Sequence, residues 1–324
     1  MRALQYAAFG PAKDVLSQAE IDTPAPGEGQ VRIKTILSPI HNHDLWTIAG
    51  TYGYKPALPA IGGSEAVGTI EAVGPGVDDA LIGKRVAASG TGTWAEHFIA
   101  SAAGVLPVPD TIGDAAAAQL MAMPFSAIAL LDFLNVRAGD WVVQSAANGA
   151  VGKIFAKLAD ARGIKVLNLV RRSEAKAALE TLGMENVIAT DGTDWREAAR
   201  EIVGKDGARA AVDSVGGALT GDLANLVGYK GELVIFGSAT GEPMTIESGP
   251  VIFIQLTIKG FWGAKILPEM EGEKRKRLIT ELVTLAAKGE LPLDVDGEYG
   301  LDRGREAMVA ALTPGRKGKV LIRP

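Results

Sequence analysis

The run Trp141-Val-Val-Gln-Ser-Ala-Ala-Asn-Gly-Ala-Val-Gly152 limits what this chain can fold into more than any other segment. It reads as a buried strand, a tight turn of small residues and the start of a helix. After the turn, apolar side chains fall at Val151, Ile154, Phe155, Leu158 and Ala159, the one-face spacing of a helix packed on a sheet. Gly163 stands where a left-handed helix cap is expected, and Lys165-Val-Leu-Asn-Leu-Val170 reads as the next strand. Such a unit presents main-chain N–H groups at a helix N-terminus, where a pyrophosphate binds. The turn does not meet the standard G-x-G-x-x-G spacing. On these residues alone, an ordinary strand-helix-strand unit without a ligand stays open.

The end of the second strand sharpens the reading. A unit that binds NAD places an Asp or Glu about 20 residues after the glycines, on the ribose hydroxyls. Here that place reads Val170-Arg171-Arg172-Ser173, two cations and a hydroxyl with no acid. A carboxylate would repel a 2′-phosphate, whereas a guanidinium fork binds one at two points. Two arginines are also an ordinary way to end a strand in water. If a dinucleotide binds, the residues favour NADPH over NADH.

The 324 residues leave room for two domains with separate cores. A net charge of −5 gives no overall basic field for nucleic acid or an anionic membrane. The one dense basic run, Lys274-Arg-Lys-Arg277, follows Glu271 and Glu273 and reads as the solvated first turn of a helix. With no cysteine, the chain has no disulfide, thiolate nucleophile or zinc-thiolate site, and a reducing cytoplasm suits it. Its first residues lack the apolar core of a signal peptide. The most hydrophobic stretch, Ala115 to Leu134, is broken by Gln119, Pro124 and Asp132 and does not reach bilayer length. A soluble, cytoplasmic protein is expected.

The rhythm of the chain predicts its organisation. Residues 1–122 carry short β runs between Gly and Pro, among them Val31–Leu37, Ala66–Val73 and Arg85–Ser89. From 123 to 262 strands alternate with helices. Strands are predicted at Asp140–Ser145, Lys165–Val170, Asn186–Ala189, Ala208–Asp213, Glu232–Phe236 and Gln255–Phe261. A helix over Thr193–Ile202 opens with Asp194 and Glu197 at capping-box spacing. Six strands with intervening helices make a doubly wound parallel sheet, so the fold class is α/β with a β-rich domain ahead of it. Residues 263–324 give a helix from Lys274, a second near Arg303–Leu312 and a closing strand Lys319–Ile322, expected to return to the first domain. Leu256–Phe261 would be the last strand of the sheet, with an unpaired edge that needs cover.

This order of parts resembles the medium-chain dehydrogenase/reductase superfamily, whose first domain is GroES-like and whose second is a Rossmann domain. The stretches that carry the resemblance span the chain. They are Pro24-x-Pro26-Gly-Glu-Gly-Gln-Val-Arg-Ile, Gly62-Gly-Ser-Glu-Ala-Val-Gly-Thr-Ile-Glu-Ala-Val-Gly74, Gly83-Lys-Arg-Val86, Gly92-Thr-Trp-Ala-Glu-His97 and Val212-Asp-Ser-Val-Gly-Gly217. Zinc-dependent members carry a Cys and a Gly-His-Glu as ligands and a four-cysteine lobe. At those places this chain has His41 and Gly63-Ser64-Glu65, and a serine hydroxyl is a poor zinc ligand. His41, His43, Asp44 and Glu65 contain the atoms for a metal, but two histidines one residue apart in a polar turn are ordinary loop residues. The chain resembles the zinc-free branch, and no metal is expected.

Within that branch it is most similar to 2-enoyl thioester reductases of the mitochondrial fatty-acid type, with the quinone oxidoreductases next. Ser38-Pro-Ile-His-Asn-His-Asp-Leu-Trp46, Gly50-Thr-Tyr-Gly53, Leu58–Glu65, Gly139–Gln144, Leu167–Arg172 and Lys259-Gly-Phe-Trp262 carry this likeness. The resemblance implies that Tyr52 is the catalytic acid. It also implies cofactor contacts at Asn42, Asn148, Gly149, Ala150, Val151, Arg171, Arg172, Ser173, Phe236, Gly237, Ser238, Phe261, Trp262 and Lys319. Trp262 is in addition a candidate wall of the nicotinamide pocket, although a Trp ending a strand equally suits a core. The family's two-fold dimer would form through the Leu256–Phe261 edge. Ala122-Met123-Pro124 departs from the usual Val-Asn-Pro, and Gly149-Ala150 from a Ser-containing pair, which puts the substrate class in doubt.

The chemistry is coherent without the family. Reduction of an activated C=C delivers hydride to the β-carbon while negative charge builds on the carbonyl oxygen. The site then needs a donor for that oxygen and a proton for the α-carbon. A tyrosine phenol, with a reference pKa near 10, stays protonated at neutral pH and supplies either. Tyr52 sits in a Gly/Pro loop of the composition expected for a residue that closes on substrate, though such a tyrosine is more often structural. Three readings follow: an NADPH-dependent reductase of a 2-enoyl thioester or related enone, an NADPH:quinone oxidoreductase, and a non-catalytic NADPH-binding sensor or structural partner.

Overall fold

Val142 and Val143 are fully buried, so the strand that opens the nucleotide-binding signature is covered on both faces, as a central parallel strand must be. The computed structural model describes residues 1–324 and shows this strand, Trp141–Gln144, in the middle of six. The sheet runs Val187–Ala189, Lys165–Val170, Trp141–Gln144, Ala208–Asp213, Val227–Ile235 and Thr257–Gly260, parallel throughout. Chain order reverses beside Trp141–Gln144, with two later strands on one side and three on the other. At such a reversal the carboxyl ends of the strands leave a crevice for a ligand. The six predicted strands are all present. Asn186 takes a left-handed φ of 51° and leaves its strand one residue shorter, and Val227–Ile235 begins five residues earlier than predicted.

This sheet belongs to a unit spanning Pro124–Leu282, while Met1–Met123 and Val283–Pro324 form the other unit. Residues 263–282 were expected to return with the tail, yet they stay with the parallel sheet. Three ion pairs explain it. Asp132, on the Met123–Phe133 helix, binds Lys274 and lies 3.5 Å from Arg277, and Arg162 meets Glu281 at 2.9 Å. The basic run of the Gly272–Ala287 helix is therefore partly a docking contact rather than a merely solvated turn. Leu278 and Leu282 are buried on the same helix.

The Trp195–Val203 helix forms where predicted, but its capping box does not. Asp194 has φ −98° and ψ 5°, outside the extended geometry of a capping residue, and its carboxylate accepts the Thr193 hydroxyl at 2.8 Å instead.

The other unit is built on the long strand Gln30–Pro39. From Gln30 to Leu37 its residues alternate, with Val31, Ile33, Thr35 and Leu37 inward, the period expected of a sheet with one buried face, and its last residues are buried throughout. It pairs antiparallel with Glu65–Val73, with His97–Ser101 and, at its end, with the closing strand Lys319–Arg323 through Leu321↔Pro39 and Ile322↔Ser38. The tail thus returns to the first domain, as predicted.

Candidate functional site

In the parallel-sheet unit the predicted turn approaches its helix closely. Ala146 adopts φ 53°, and the Ala150–Ala161 helix starts after Gly149. A Cβ on Gly152 would lie 2.8 Å from the Ala147 backbone, so this position needs glycine for helix and turn to touch. Beneath the turn, buried Gln144 donates to the Gly152 carbonyl at 2.9 Å and to Asn168 Oδ1 at 2.6 Å. The first N–H groups of the helix have no acceptor within it, which leaves Ala150 and Val151 able to serve an anion.

A second turn leaves the neighbouring strand. Asp213 is fully buried, and its carboxylate accepts from Ser145 Oγ at 3.0 Å, from the Val215 amide at 2.8 Å and from Thr220 Oγ1 at 2.6 Å. The Asp213 carbonyl accepts from the Phe236 and Gly237 amides at 2.7 and 3.1 Å. Phe236, Gly237 and Ser238, together with Asn148–Val151, therefore stand at the carboxyl ends of the two strands that flank Ala208–Asp213. Phe261 packs edge-on to Phe133 and 5.8 Å from Phe236, so it is core. Trp262 is half-exposed and opens the Gly263–Glu269 helix.

Arg171 and Arg172 end the Lys165–Val170 strand in solvent, and Arg172 precedes the Ser173–Thr181 helix. Here sequence reasoning missed a residue. Asp191, from the end of the next strand, accepts from the Ser173 amide at 3.0 Å and from its hydroxyl at 3.0 Å, and these bonds hold its carboxyl below the usual range. An acid therefore does reach this place, supplied from 18 residues further along the chain where no local motif could signal it. The chemistry of the turn and the two guanidinium groups fits a phosphorylated dinucleotide, with Asp191 opposing it.

The other unit gathers a polar cluster at the start of the Asn42–Ala49 helix. Two glycines place its lower half: at Gly62 and Gly63 a Cβ would strike the buried Trp94 ring at 2.2 and 2.5 Å. The turn therefore lies flat on Trp94 and delivers Ser64 and Glu65 towards the helix. His41 Nε2 is 2.7 Å from Glu65 Oε1, and Glu65 Oε2 accepts from the Ala122 amide at 2.6 Å. His43 Nε2 meets Ser64 Oγ at 2.7 Å and lies 3.5 Å from Asp44 Oδ1, while Asp44 Oδ2 accepts from the His41 amide at 2.9 Å. The two imidazoles stack with centroids 5.1 Å apart.

Tyr52 reaches this cluster by a folded-back turn. The helix ends at Gly50 in the left-handed conformation (φ 73°), and the Thr51 and Tyr52 amides both donate to the Trp46 carbonyl, at 2.9 and 3.2 Å. The phenol ring consequently lies back along the helix, 5.9 Å from the His43 ring centre to centre. The main chain at Tyr52 is anchored, unlike the free loop its composition suggested. Lys319, half-buried, sends Nζ to the Ile40 carbonyl at 3.4 Å. Asn42 is exposed in the first helical turn. The sequence predictions for this unit thus fall into one cluster (Tyr52, Lys319) with Asn42 on its rim. His43, Ser64 and Glu65 entered the sequence reading only as a failed metal set.

Burial dominates the electrostatics here. It pushes the Glu65 carboxyl up to about 8, against the pull of the Ala122 amide. It also holds His41 well below the ordinary imidazole range, helped by Lys319 and His43, and brings Lys319 down to about 8.

Two family models match the chain: the alcohol dehydrogenase GroES-like domain over residues 27–110 and zinc-binding dehydrogenase over residues 150–280. Human mitochondrial enoyl-[acyl-carrier-protein] reductase is 30% identical over 329 residues, covering 99% of this chain and 88% of that protein. A Mesorhizobium loti protein provisionally assigned as an NADPH:quinone reductase is 30% identical, with a TM-score of 0.92 over 100% of this chain and 98% of its own. A mycobacterial protein solved in complex with NADPH is 27% identical, with a TM-score of 0.87 over the whole of both chains. The chain belongs to the medium-chain dehydrogenase/reductase superfamily and is an oxidoreductase of it, close to the mitochondrial enoyl-[acyl-carrier-protein] reductases.

The zinc that the second model's name implies does not fit these residues. His41 spends Nε2 on Glu65, His43 spends Nε2 on Ser64, and the remaining ligand place is a serine hydroxyl.

The shifted groups make stability depend on pH in a defined way. Folded Glu65 keeps its proton between 4.5 and about 8, where the unfolded chain has lost it, so its contribution is lost as pH rises through that window. Folded His41 stays neutral where the unfolded imidazole still binds a proton, so it adds stability only as pH rises to 6.5. Lys319 adds stability only above about 8, towards 10.5. Between pH 6.5 and 8 the Glu65 loss stands alone. Urea midpoints should fall across that interval in the wild type and stay level in Glu65→Gln. A wild-type midpoint that rises there would contradict the assignment.

Proposed function

We propose that this chain is an NADPH-dependent, metal-independent reductase of activated carbon–carbon double bonds, acting on a 2-enoyl thioester or a related conjugated carbonyl. The observation that carries this reading is the placement of the Tyr52 phenol. It is held by the helix end against a polar cluster, with the His43 imidazole 5.9 Å from its ring. The similarity to an enoyl-[acyl-carrier-protein] reductase over nearly the whole chain supports the acceptor class.

Ala150, Val151 and the arginines Arg171 and Arg172 would hold the dinucleotide by its phosphates. When bound, NADPH supplies a hydride to the β-carbon of the acceptor. The electron pair of the double bond then moves towards the carbonyl oxygen, and Tyr52 gives its phenolic proton to the resulting enolate at the α-carbon. Trp262 stands half-exposed at the helix start, where it can flank the nicotinamide.

The cofactor assignment is tested by Arg171→Ala with Arg172→Ala. The KM for NADPH should rise by about tenfold or more while that for NADH changes little, because only the former carries the 2′-phosphate. Asp191→Asn should move the ratio towards NADPH by removing the opposing charge. Equal effects on both dinucleotides would refute the assignment.

Tyr52→Phe keeps the ring and removes the proton. Turnover of a crotonyl thioester should drop about 100-fold with NADPH affinity unchanged. The quinone oxidoreductase reading is favoured by the fold neighbours, one of them provisionally assigned as an NADPH:quinone reductase. It predicts faster turnover of a quinone than of a crotonyl thioester or a short enone, with a smaller effect of the same substitution.

We further infer a homodimer. The Thr257–Gly260 strand closes the sheet with an unpaired edge, and Ile258, Ile252 and Phe253 beside it are exposed, Phe253 by 79%. A twin strand across a two-fold axis covers such an edge and extends the sheet. Sedimentation at micromolar concentration should give twice the chain mass, and Ile258→Lys should yield monomers; a wild-type monomer would refute it.

A further inference from the structure

We propose that His43 is the residue that returns a proton to Tyr52 after each turnover, with Ser64 and the buried His41–Glu65 pair fixing its ring for that task. The proposal rests on the reading of Tyr52 as the acid and adds what that reading leaves open. A phenol that gives its proton to an enolate must be reprotonated before the next cycle, and no group had been assigned to do so.

The geometry isolates His43 for this role. It is the one imidazole in ring contact with Tyr52, 5.9 Å between centres and tilted by 32°. Its Nε2 is engaged by the Ser64 hydroxyl at 2.7 Å, so the proposed relay to the phenol runs through the other ring nitrogen, Nδ1. Its side chain is 25% exposed, so water reaches the ring that serves the phenol. His41 is the contrasting case. It is fully buried and bound at Nε2 to Glu65, so it has no route to solvent and acts as a floor on which the His43 ring stacks. Glu65 is in turn tied to the Ala122 amide. The ladder Ala122, Glu65, His41, His43, Tyr52 is thus fixed at its buried end and open at the other. The charged and titratable groups around the His43 ring are Asp44 and His41 from its own helix, Ser64 and Glu65 from the glycine turn, Tyr52 from the loop, and Lys319 from the closing strand behind them.

The step balances without a further reactant. The Tyr52 O–H bond breaks as the C–H bond forms at the α-carbon, leaving a phenolate. The imidazolium N–H of His43 then breaks as the phenol O–H re-forms, leaving neutral imidazole. The Ser64 hydroxyl accepts from Nε2–H in both states, because the proton that leaves is the one on Nδ1. Water at the exposed edge restores the imidazolium. One hydride and one proton enter the acceptor, whether it is a thioester, an enone or a quinone.

The test is a double-mutant cycle with chemical rescue, run on whichever acceptor the wild type turns over. His43→Ala should lower kcat by about tenfold to a hundredfold with the KM for NADPH unchanged, and added imidazole should restore a large part of it. His43→Gln, which retains a partner for Ser64, should show the same loss without rescue. In a Tyr52→Phe background, His43→Ala should cost nothing more, because the proton it returns is no longer needed. Wild-type kcat in His43→Ala, an undiminished loss on top of Tyr52→Phe, or full activity in His43→Gln would each overturn the relay and leave a packing role. If Tyr52→Phe itself turns over normally, the Tyr52 reading falls first and the relay with it. A Tyr52→Phe loss beside an intact His43→Ala defeats the relay alone.

Discussion

A polar group taken out of water must find partners, and in both units of this protein one buried carboxyl meets that demand beneath a glycine-bearing turn. Asp213 gathers a serine hydroxyl, a threonine hydroxyl and the amides of the turn that follows it. Glu65 gathers a histidine nitrogen and the Ala122 amide. Neither acid is a surface charge that could be dropped without consequence. Each fixes main chain near the site: the Asp213 carboxylate holds the turn at Val215 and Gly216, and the Glu65 carboxylate ties the His41 ring to the Ala122 amide. The small residues around them serve the same end. Gly152 lets a helix rest on a turn, and Gly62 and Gly63 let a turn rest on Trp94, because a Cβ at any of the three would overlap a neighbour.

What could be read in the sequence was what neighbouring residues decide among themselves. The Trp141–Gln144 strand, the turn after it and the face of the Ala150–Ala161 helix follow from spacing over a dozen residues, and they are found as expected. The six strands were legible for the same reason. Features set by distant residues were not. Asp191 reaches Ser173 only because parallel strands bring their carboxyl ends together, and no motif near Arg171 announces it. The segment 263–282 stays with the parallel sheet because Asp132 and Arg162, more than a hundred residues earlier, pair with it. Asp194 had the right spacing for a cap but the wrong backbone angles, and its carboxylate turned to the nearer hydroxyl of Thr193.

The cluster around Tyr52 shows the same limit from another side. Spacing alone showed two histidines, an aspartate and a glutamate, a set of residue types that reads equally as a metal site or as a loop. Only the pairing distinguishes them. Once His41 is joined to Glu65 and His43 to Ser64, the set is two hydrogen-bonded pairs whose imidazoles stack on each other. The anchoring of Tyr52 to the Trp46 carbonyl was equally hidden, since it depends on the left-handed turn at Gly50 rather than on any property of the tyrosine.

That pairing bears on which bond a hydride can attack. A zinc ion polarises an isolated carbonyl strongly enough for addition at the carbonyl carbon. A neutral phenol with a reference pKa near 10 is a much weaker acid, and it stabilises charge best where conjugation has already spread it. With the first ligand place occupied by a histidine committed to Glu65 and the second by a serine committed to His43, the polarising group available at this site is a proton donor. On the proposed reading of Tyr52 as the acid, such a site favours acceptors whose added electrons come to rest on an oxygen remote from the attacked carbon. Enoyl thioesters, enones and quinones share that property, and simple aldehydes and ketones lack it. The choice among the three then rests on the shape around Tyr52 rather than on the chemistry of the acid.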